Sequence, residues 1–123
     1  MGQALAGVLP VIQTPFDDAD RVDHAVLAHE VSWALEQGVD GFVVAMVSEY
    51  LRLSEDERIA VSRTTVEKAT DLPVVVSVGA ESSVVATLLT QRAESIGAAA
   101  VMAVPPLAAR ANDDELEIGR AHV

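Results

Sequence analysis

Residues Gly38–Val47 read GVDGFVVAMV. Gly38 is a glycine of the kind that ends helices, and the apolar run begins at Gly41. A second run, Pro73–Val78, reads PVVVSV. Neither run alternates apolar and polar residues, and such continuous runs are typical of strands in a parallel sheet that is covered on both faces. We therefore predict parallel strands at Gly41–Val47 and at Val74–Val78.

Two further apolar runs repeat this pattern towards the ends of the chain. They are Gly7–Ile12 and Ala99–Val104, and we predict a strand at each. Helical segments separate all of these runs, so strand and helix alternate along the chain, which is the order of an α/β fold. The acidic residues Asp113–Glu115 resemble the first turn of a further helix.

The predicted helices have recognisable ends. Asp23 is the expected N-cap of the first helix, Ser54 and Glu57 form a capping box for the second, and the third begins at Ser82 or Ser83. Gly38 and Gly97 are expected to end the first and third helices. The residues predicted to face inward are Val26, Val31, Ala34 and Leu35, then Ile59, Val66 and Ala69, then Val85, Leu88, Leu89 and Ile96.

Periodicity alone does not decide how the sheet closes, because four strand–helix units fit an open doubly wound sheet and half of a closed (β/α)₈ barrel. One alternative is a flavodoxin-like binding or signalling domain. It would place a phosphorylatable aspartate at the end of an early strand, where this chain has Met46-Val47-Ser48 and Ser77-Val78. Another alternative is self-association, in which two copies of the chain, each half of a barrel, close one barrel together. A complete barrel takes about 250 residues.

The composition disfavours several classes of partner. The net charge is −11, and only eight Lys and Arg residues are present, which argues against nucleic acid and anionic membranes. The chain has no cysteine. No apolar run approaches the ~20 residues of a membrane span. We therefore expect a soluble, cytoplasmic protein.

Three groups of polar residues lack the spacing of a metal or cofactor site. His24 and His29 are five positions apart, about 140° around a helix, so they cannot share a metal ion. The acidic turn at 17–20 lacks the glycine and the distal glutamate of a calcium loop. Residues 79–82 lack the glycine pattern of a phosphate-binding loop. We expect no metal and no cofactor.

Three motifs, in matching order and spacing, resemble the dihydrodipicolinate synthase / N-acetylneuraminate lyase family. They cover the chain from about Gly7 to Pro106. The family's version of the second motif reads GVDGLVV, then GTTGE, then LSxEER. In this chain the three motifs are Gly7–Pro10 with Thr14–Phe16 and Val22-Asp23, then Gly38–Val44 with Ser48-Glu49 and Leu53–Arg58, then Pro73–Ala80 with Gly97-Ala98 and Pro105-Pro106.

The resemblance implies a partial (β/α)₈ barrel, about the first four βα units, of a class I aldolase or lyase. In that family a lysine on the sixth strand forms a Schiff base with a 2-keto acid, usually pyruvate, and a tyrosine on the fifth strand relays protons. The single lysine here, Lys68, falls on the polar side of a predicted helix. We therefore expect no catalytic residue within the chain, an inactive fragment, and a full-length protein that is a homodimer or homotetramer.

The loop after the second strand is the part of the family's site that this chain contains. In relatives, the hydroxyls of GTTGE bind the carboxylate of the keto acid. Here the loop reads Ala45-Met46-Val47-Ser48-Glu49 and is one residue shorter. Ser48 aligns with the second threonine when counted from the strand, and with the glycine when counted from Glu49. Val47 and Ser48 are therefore the candidate substrate-binding residues, and Glu49 is expected to be a structural hydrogen-bond acceptor.

A second departure from the family follows the fourth strand. Relatives often have PPYY, and this chain has Pro105-Pro106-Leu107-Ala108, without an aromatic hydroxyl. Together with the short loop, this difference favours a branch that acts on some other 2-keto acid or sugar acid.

The last seven residues, Glu117–Val123, are the translation of the DNA string GAGATCGGAAGAGCACACGTC, most of which is a common sequencing-library adapter. We interpret residues 117–123 as an artefactual tail and residues 1–116 as the N-terminal portion of the barrel domain.

These expectations predict the content of the uninterrupted reading frame. Two more βα units would place the sixth strand, with its lysine, about 40–60 residues beyond Pro106. Resequencing the locus tests this. A genuine stop codon after Val123, or a downstream frame without such a lysine, would contradict the enzymatic interpretation.

Overall fold

The structure, a computed structural model, describes residues 4–44 and 47–108, apart from the side chains of residues 47 and 48. Its four strands form one sheet in the order β1-β2-β3-β4, and every neighbouring pair is parallel. The elements are β1 (Val11–Ile12), α1 (His24–Glu36), β2 (Phe42–Val44), α2 (Val47–Tyr50), α3 (Glu55–Ala69), β3 (Val74–Ser77), α4 (Ser83–Ser95) and β4 (Ala100–Met102).

The strand order decides between the alternatives that periodicity left open. In a flavodoxin-like sheet the order reverses at a switch point, so that the first strand lies between the second and the third and the second does not pair with the third. Here each strand lies beside the one that precedes it in the chain. This sequential order is that of a barrel wall, and it confirms the predicted partial (β/α)₈ architecture.

The apolar core lies between the sheet and its helices. Four side chains, one from each strand, form a row in register across the sheet and belong to the same buried cluster as residues of α1, α3 and α4. This row consists of Ile12, Val44, Val76 and Val101. The row before it points to the opposite face, because successive side chains on a strand alternate, and it lies outside that cluster: Val11, Val43, Val75 and Ala100.

The expectation that both faces of the sheet are covered holds for β3, whose four residues are all buried, but not for β1 at the end of the sheet. Within residues 4–44 and 47–108 the core cluster joins the helices to a single face, and Val11 on the other face is 46% exposed. In a closed barrel the same face lines the interior, where the strands themselves enclose it. Burial of the face that bears Val11, which the apolar runs predict, therefore depends on the closure of the barrel.

The predicted helix ends are confirmed. The Asp23 side chain caps α1, Ser82 caps α4, and Ser54 and Glu57 form a complete capping box in which each side chain accepts from the other residue's backbone N–H. These contacts satisfy amides that have no partner inside the helix. The two glycines expected to end helices have left-handed backbones: Gly38 (φ 81°) and Gly97 (φ 94°).

Two predicted core positions are wrong. Val26 is 49% exposed and Leu88 is 40% exposed. In α1 the buried residues are Leu27, Val31 and Ala34, spaced four and three apart, and Val26 lies about 100° from Leu27 around the helix. In α4 the residues facing the core are Leu89 and Ala93, which leaves the neighbouring Leu88 at the edge of the packed face.

The observed strands are shorter than the predicted ones. The β1 ladder contains only Val11–Ile12. The carbonyls of Val8 and Pro10 nevertheless accept hydrogen bonds from the backbone N–H groups of Asp40 and Val43, respectively. Pro10 has no N–H, so the ladder cannot continue through it as a regular strand. β3 ends at Ser77 and β4 at Met102.

The predicted end of the second strand is also wrong. Val47 belongs to the short helix α2, and β2 ends at Val44. The run of apolar letters through Val47 concealed this change, because apolar residues do not by themselves distinguish a strand from a helix. The helix expected near Asp113–Glu115 and the tail at 117–123 lie outside the described residues.

Gly41 tests how tightly the start of β2 is packed between the neighbouring strands. A Cβ at Gly41 would lie 2.5 Å from the Pro73 carbonyl oxygen, which is backbone and cannot move aside, whereas a Cβ at Gly38 meets no atom within 4 Å. We expect Gly41→Ala to lower the thermal midpoint well below that of Gly38→Ala, in which only left-handed strain of roughly 1–2 kcal/mol applies. Equal midpoints for the two variants would contradict this packing.

Candidate functional site

The candidate site lies at the carboxyl ends of the strands, where all parallel strands of the sheet finish on the same side. The segment after β1, residues 13–16, and the segment after β2, residues 47–53, meet there. Active sites of (β/α)₈ barrels are built from the loops at this end. The geometry of these two segments is therefore the part of the structure that bears on function.

Glu49 ties the two segments together. Its carboxylate accepts from the Thr14 backbone N–H at 2.6 Å through one oxygen and from the Thr14 hydroxyl at 3.0 Å through the other. Thr14 is buried and the two bonds are partly buried, so they satisfy polar groups that have limited access to water. The prediction that Glu49 is a structural acceptor is confirmed.

A second carboxylate binds the preceding amide. Glu30, on α1, accepts from the backbone N–H of Gln13 at 3.3 Å. Burial raises the pKa of the Glu30 carboxyl and the nearby charge of Glu49 raises it further, while the hydrogen bond from Gln13 opposes both. Two acidic side chains thus accept from consecutive amides at the end of β1.

An open cleft of about 470 Å³ adjoins these contacts. Its wall combines apolar side chains with one carboxylate and one guanidinium, a mixture suited to a small polar molecule with an apolar portion. The residues that line it are Val11, Ile12, Gln13, Thr14, Phe16, Glu49, Arg52 and Leu53.

The side chain of Arg58 is buried at the end of β3. The residue is only 5% exposed, and its guanidinium donates to the backbone carbonyls of Ser77 at 3.1 Å and Gly79 at 3.0 Å. The same guanidinium lies 5.1 Å from the centre of the Tyr50 ring, within the range of a cation–π contact. Burial lowers the pKa of Arg58, and Tyr50 and Glu55 oppose that shift.

Sequence reasoning did not single out Arg58, because an arginine in a helix is normally expected at the surface. The burial of its neighbours at helical spacing is visible only in the structure, since two of the three are polar. Val61, Ser62 and Thr65 follow it by three, four and seven positions, and all three are fully buried. Arg58 therefore belongs to the same helical face as three small buried residues.

The loops after β3 and β4 are joined in a similar way. The Glu81 carboxylate accepts from the backbone N–H of Leu107 at 2.6 Å and of Ala108 at 3.1 Å. These two residues directly follow Pro105-Pro106. A side chain from one loop thus holds the backbone of the next loop in sequence, whereas Glu49 holds Thr14 of the preceding loop.

The candidate substrate-binding residues, Val47 and Ser48, begin α2 directly after the carboxyl end of β2. Their backbone is therefore at the expected end of the sheet, beside Glu49. Their side chains are not among those described, so contact with a substrate stays a prediction. Lys68 lies in the last turn of α3 and is exposed, as expected for a helix lysine without a catalytic role.

The other polar groups behave as solvated or structural residues. His24 contacts the Thr64 hydroxyl through Nδ1 at 2.9 Å, and His29 is exposed. The Asp17 carboxylate accepts from two amides of its own turn and pairs with Arg21 at 3.3 Å. Within the described part of the chain, no three His, Cys, Asp or Glu residues are grouped so that they could hold a metal ion.

Comparison with known proteins identifies the family. The model of the Dihydrodipicolinate synthetase family matches residues 4–118. The chain belongs to this family. It is 37% identical over 101 residues to 4-hydroxy-tetrahydrodipicolinate synthase of Natronomonas pharaonis, and 36% identical over 102 residues to L-2-keto-3-deoxyarabonate dehydratase of Azospirillum brasilense.

These relatives are much longer than the chain. Each alignment covers 81% of this chain but only 34% and 33% of the respective relative, so the chain spans about a third of their length. The crystal structure of YagE from E. coli K12, a dihydrodipicolinic acid synthase family protein in complex with pyruvate, matches with a TM-score of 0.85 and 22% identity. That match covers 95% of this chain and 41% of YagE, and it supports the shared fold.

One further observation concerns the membrane. In residues 4–44 and 47–108, no helix combines the length and the apolar character that crossing a bilayer requires.

Glu30 provides a test of the electrostatics at the site. Because its pKa is raised above the ordinary value of 4.5, the folded state binds the proton more tightly than the unfolded state does. The free energy of unfolding therefore falls as pH rises from the ordinary pKa of the unfolded state to the higher pKa of the folded state. We expect Glu30→Gln, which keeps an oxygen to accept from Gln13, to remove this decline.

Thermal midpoints measured from about pH 4 to about pH 7 check this expectation, since carboxyl groups titrate in and near that range. Glu36→Gln, which replaces an exposed carboxyl on the same helix, should keep the wild-type pH dependence. Identical pH dependence in Glu30→Gln and the wild type would contradict the electrostatic assignment.

Proposed function

We propose that the full-length protein is a Schiff-base lyase or aldolase that makes or breaks a C–C bond of pyruvate or another 2-keto acid. The observation that carries this proposal is membership of the Dihydrodipicolinate synthetase family over residues 4–118. Two further findings support it. One relative is named for a 2-keto-3-deoxy sugar acid, and the structure of YagE contains pyruvate.

The chemistry requires an amine that this chain does not provide in a suitable place. In a Schiff-base mechanism a neutral lysine amine attacks the C2 carbonyl of the keto acid, and the carbonyl oxygen leaves as water to give an iminium that withdraws electrons from C3. Lys68 is exposed on α3, where water keeps an ammonium charged. We therefore propose that the chain by itself is inactive and that the reactive lysine lies on the sixth strand.

The chain's own contribution would be part of the keto-acid carboxylate site. We assign that role to the start of α2, where the Ser48 hydroxyl would donate to the carboxylate and Val47 would lie against the substrate. Glu49, held by Thr14, would fix the position of this segment. Because the loop offers one hydroxyl where relatives have two, we propose a 2-keto acid or sugar acid other than that of a strict dihydrodipicolinate synthase.

The setting of the full-length protein is part of the same proposal. We propose a cytoplasmic homodimer or homotetramer that acts on a small molecule and binds neither nucleic acid nor membranes. The charge of −11 supports the absence of nucleic acid and anionic membranes among the partners.

Borohydride trapping tests the proposed function. The full-length protein is incubated with pyruvate, or with a 2-keto-3-deoxy sugar acid, and reduced with sodium borohydride. We expect the intact mass to increase by one reduced keto-acid adduct and peptide mapping to place it on a lysine downstream of residue 123. The 123-residue chain, treated identically, should gain no adduct at Lys68.

A Ser48→Ala variant of the full-length protein links trapping to the carboxylate site. It should require a higher keto-acid concentration for half-maximal trapping, because one donor to the carboxylate is lost. Ser54→Ala, which affects only the α3 cap, serves as the control. Absence of any adduct in the wild type, or an adduct on Lys68, would overturn the proposal.

A further inference from the structure

The helix α2 cannot set its own position. It has four residues. Isolated helices of this length are unstable in water, because the conformational entropy lost on forming the first turn exceeds the stabilisation from its hydrogen bond. Contacts with the rest of the fold must therefore decide where α2 lies. Two such contacts are present, one on each side.

The first contact reaches back to β1 and the second reaches forward to β3. Glu49 of α2 accepts from Thr14 at the end of β1. Tyr50, the last residue of α2, is buried and packs against the guanidinium of Arg58, which is itself bonded to the carbonyls of Ser77 and Gly79. Arg58 thus connects α2 to the carboxyl end of β3.

The way in which Arg58 is buried favours a role beyond stability. Removing a guanidinium from water is costly, and an apolar side chain of similar size would fill the same space without that cost. Among the buried side-chain atoms of the described residues, Arg58 Nε and Ser77 Oγ have no hydrogen-bond partner, so the cost is not fully offset. What the arginine provides instead is a fixed geometry, since its Nη2 donates to two carbonyls while the planar guanidinium lies against the tyrosine ring.

We propose that Arg58 is a positioning residue for the substrate-binding segment: through Tyr50 it holds α2, and with it Ser48, at a fixed place relative to the end of β3. This inference rests on the proposed function, because it takes Ser48 as the residue that binds the keto acid. Arg58 itself does not contact the substrate. Ser48 is two residues from Tyr50, so a displacement of the ring is transmitted directly to the serine.

Kinetics of the full-length protein test the inference. Arg58→Met keeps most of the side-chain volume but removes all donors, and we expect KM for the keto acid to rise on the order of 10- to 100-fold with a smaller change in kcat. Arg58→Lys, which keeps the charge but not the planar guanidinium against Tyr50, should fall between Arg58→Met and the wild type. Arg63→Met, on the same helix but exposed, is the matched control and should leave both constants unchanged.

A second pair of variants covers the case in which Arg58→Met does not fold. Tyr50→Phe keeps the ring and should behave as the wild type, whereas Tyr50→Leu removes the ring and should raise KM while both carbonyl bonds of Arg58 are kept. A purely structural role predicts lower thermal midpoints without this selective effect on KM.

The outcomes separate the two proposals. Wild-type trapping by borohydride together with unchanged KM in Arg58→Lys and Tyr50→Leu would overturn the role of Arg58 and leave the proposed function standing. Absence of trapping in the wild type would overturn the proposed function, and the role of Arg58 with it.

Discussion

The constraint on which the site depends is that polar backbone groups must find partners where a parallel sheet ends. Within the strands the ladder provides them, but past the last ladder bond each loop has to obtain donors or acceptors elsewhere. In this protein, side chains from neighbouring elements supply them. Glu49 accepts from Thr14, Arg58 donates to the carbonyls of Ser77 and Gly79, and Glu81 accepts from the amides of Leu107 and Ala108. The loops at this end of the sheet are therefore joined to one another as well as to their own strands.

This network gives the site its shape before any substrate is considered. The sheet is part of a barrel wall, and the row containing Val11 faces the interior of the closed barrel rather than the helices. Beyond that row, Glu49 connects α2 to the end of β1, and Arg58 connects it to the end of β3. A short helix fixed on both sides is a suitable carrier for a residue that must meet a small carboxylate at a defined place.

Much of the local structure could be predicted from residue types alone. Caps at Asp23, Ser54 and Ser82 and a stop at Gly97 require only contacts within a few residues, so short-range chemistry decides them. The errors arose where a local pattern was compatible with two outcomes. Val26 is apolar but lies on the wrong side of α1, and Val47 continues an apolar run after the strand has already ended.

The sequence by itself determined the alternation of strands and helices, the ends of the helices, and the resemblance that indicates the family. Only the tertiary structure decided the strand order, the pairing of Glu49 with Thr14, and the burial of Arg58 under Tyr50. The physical reason is distance along the chain. Thr14 and Glu49 are separated by 35 positions, and Arg58 and Ser77 by 19, so their contacts exist only after parallel strands have brought the ends of separate units to the same edge.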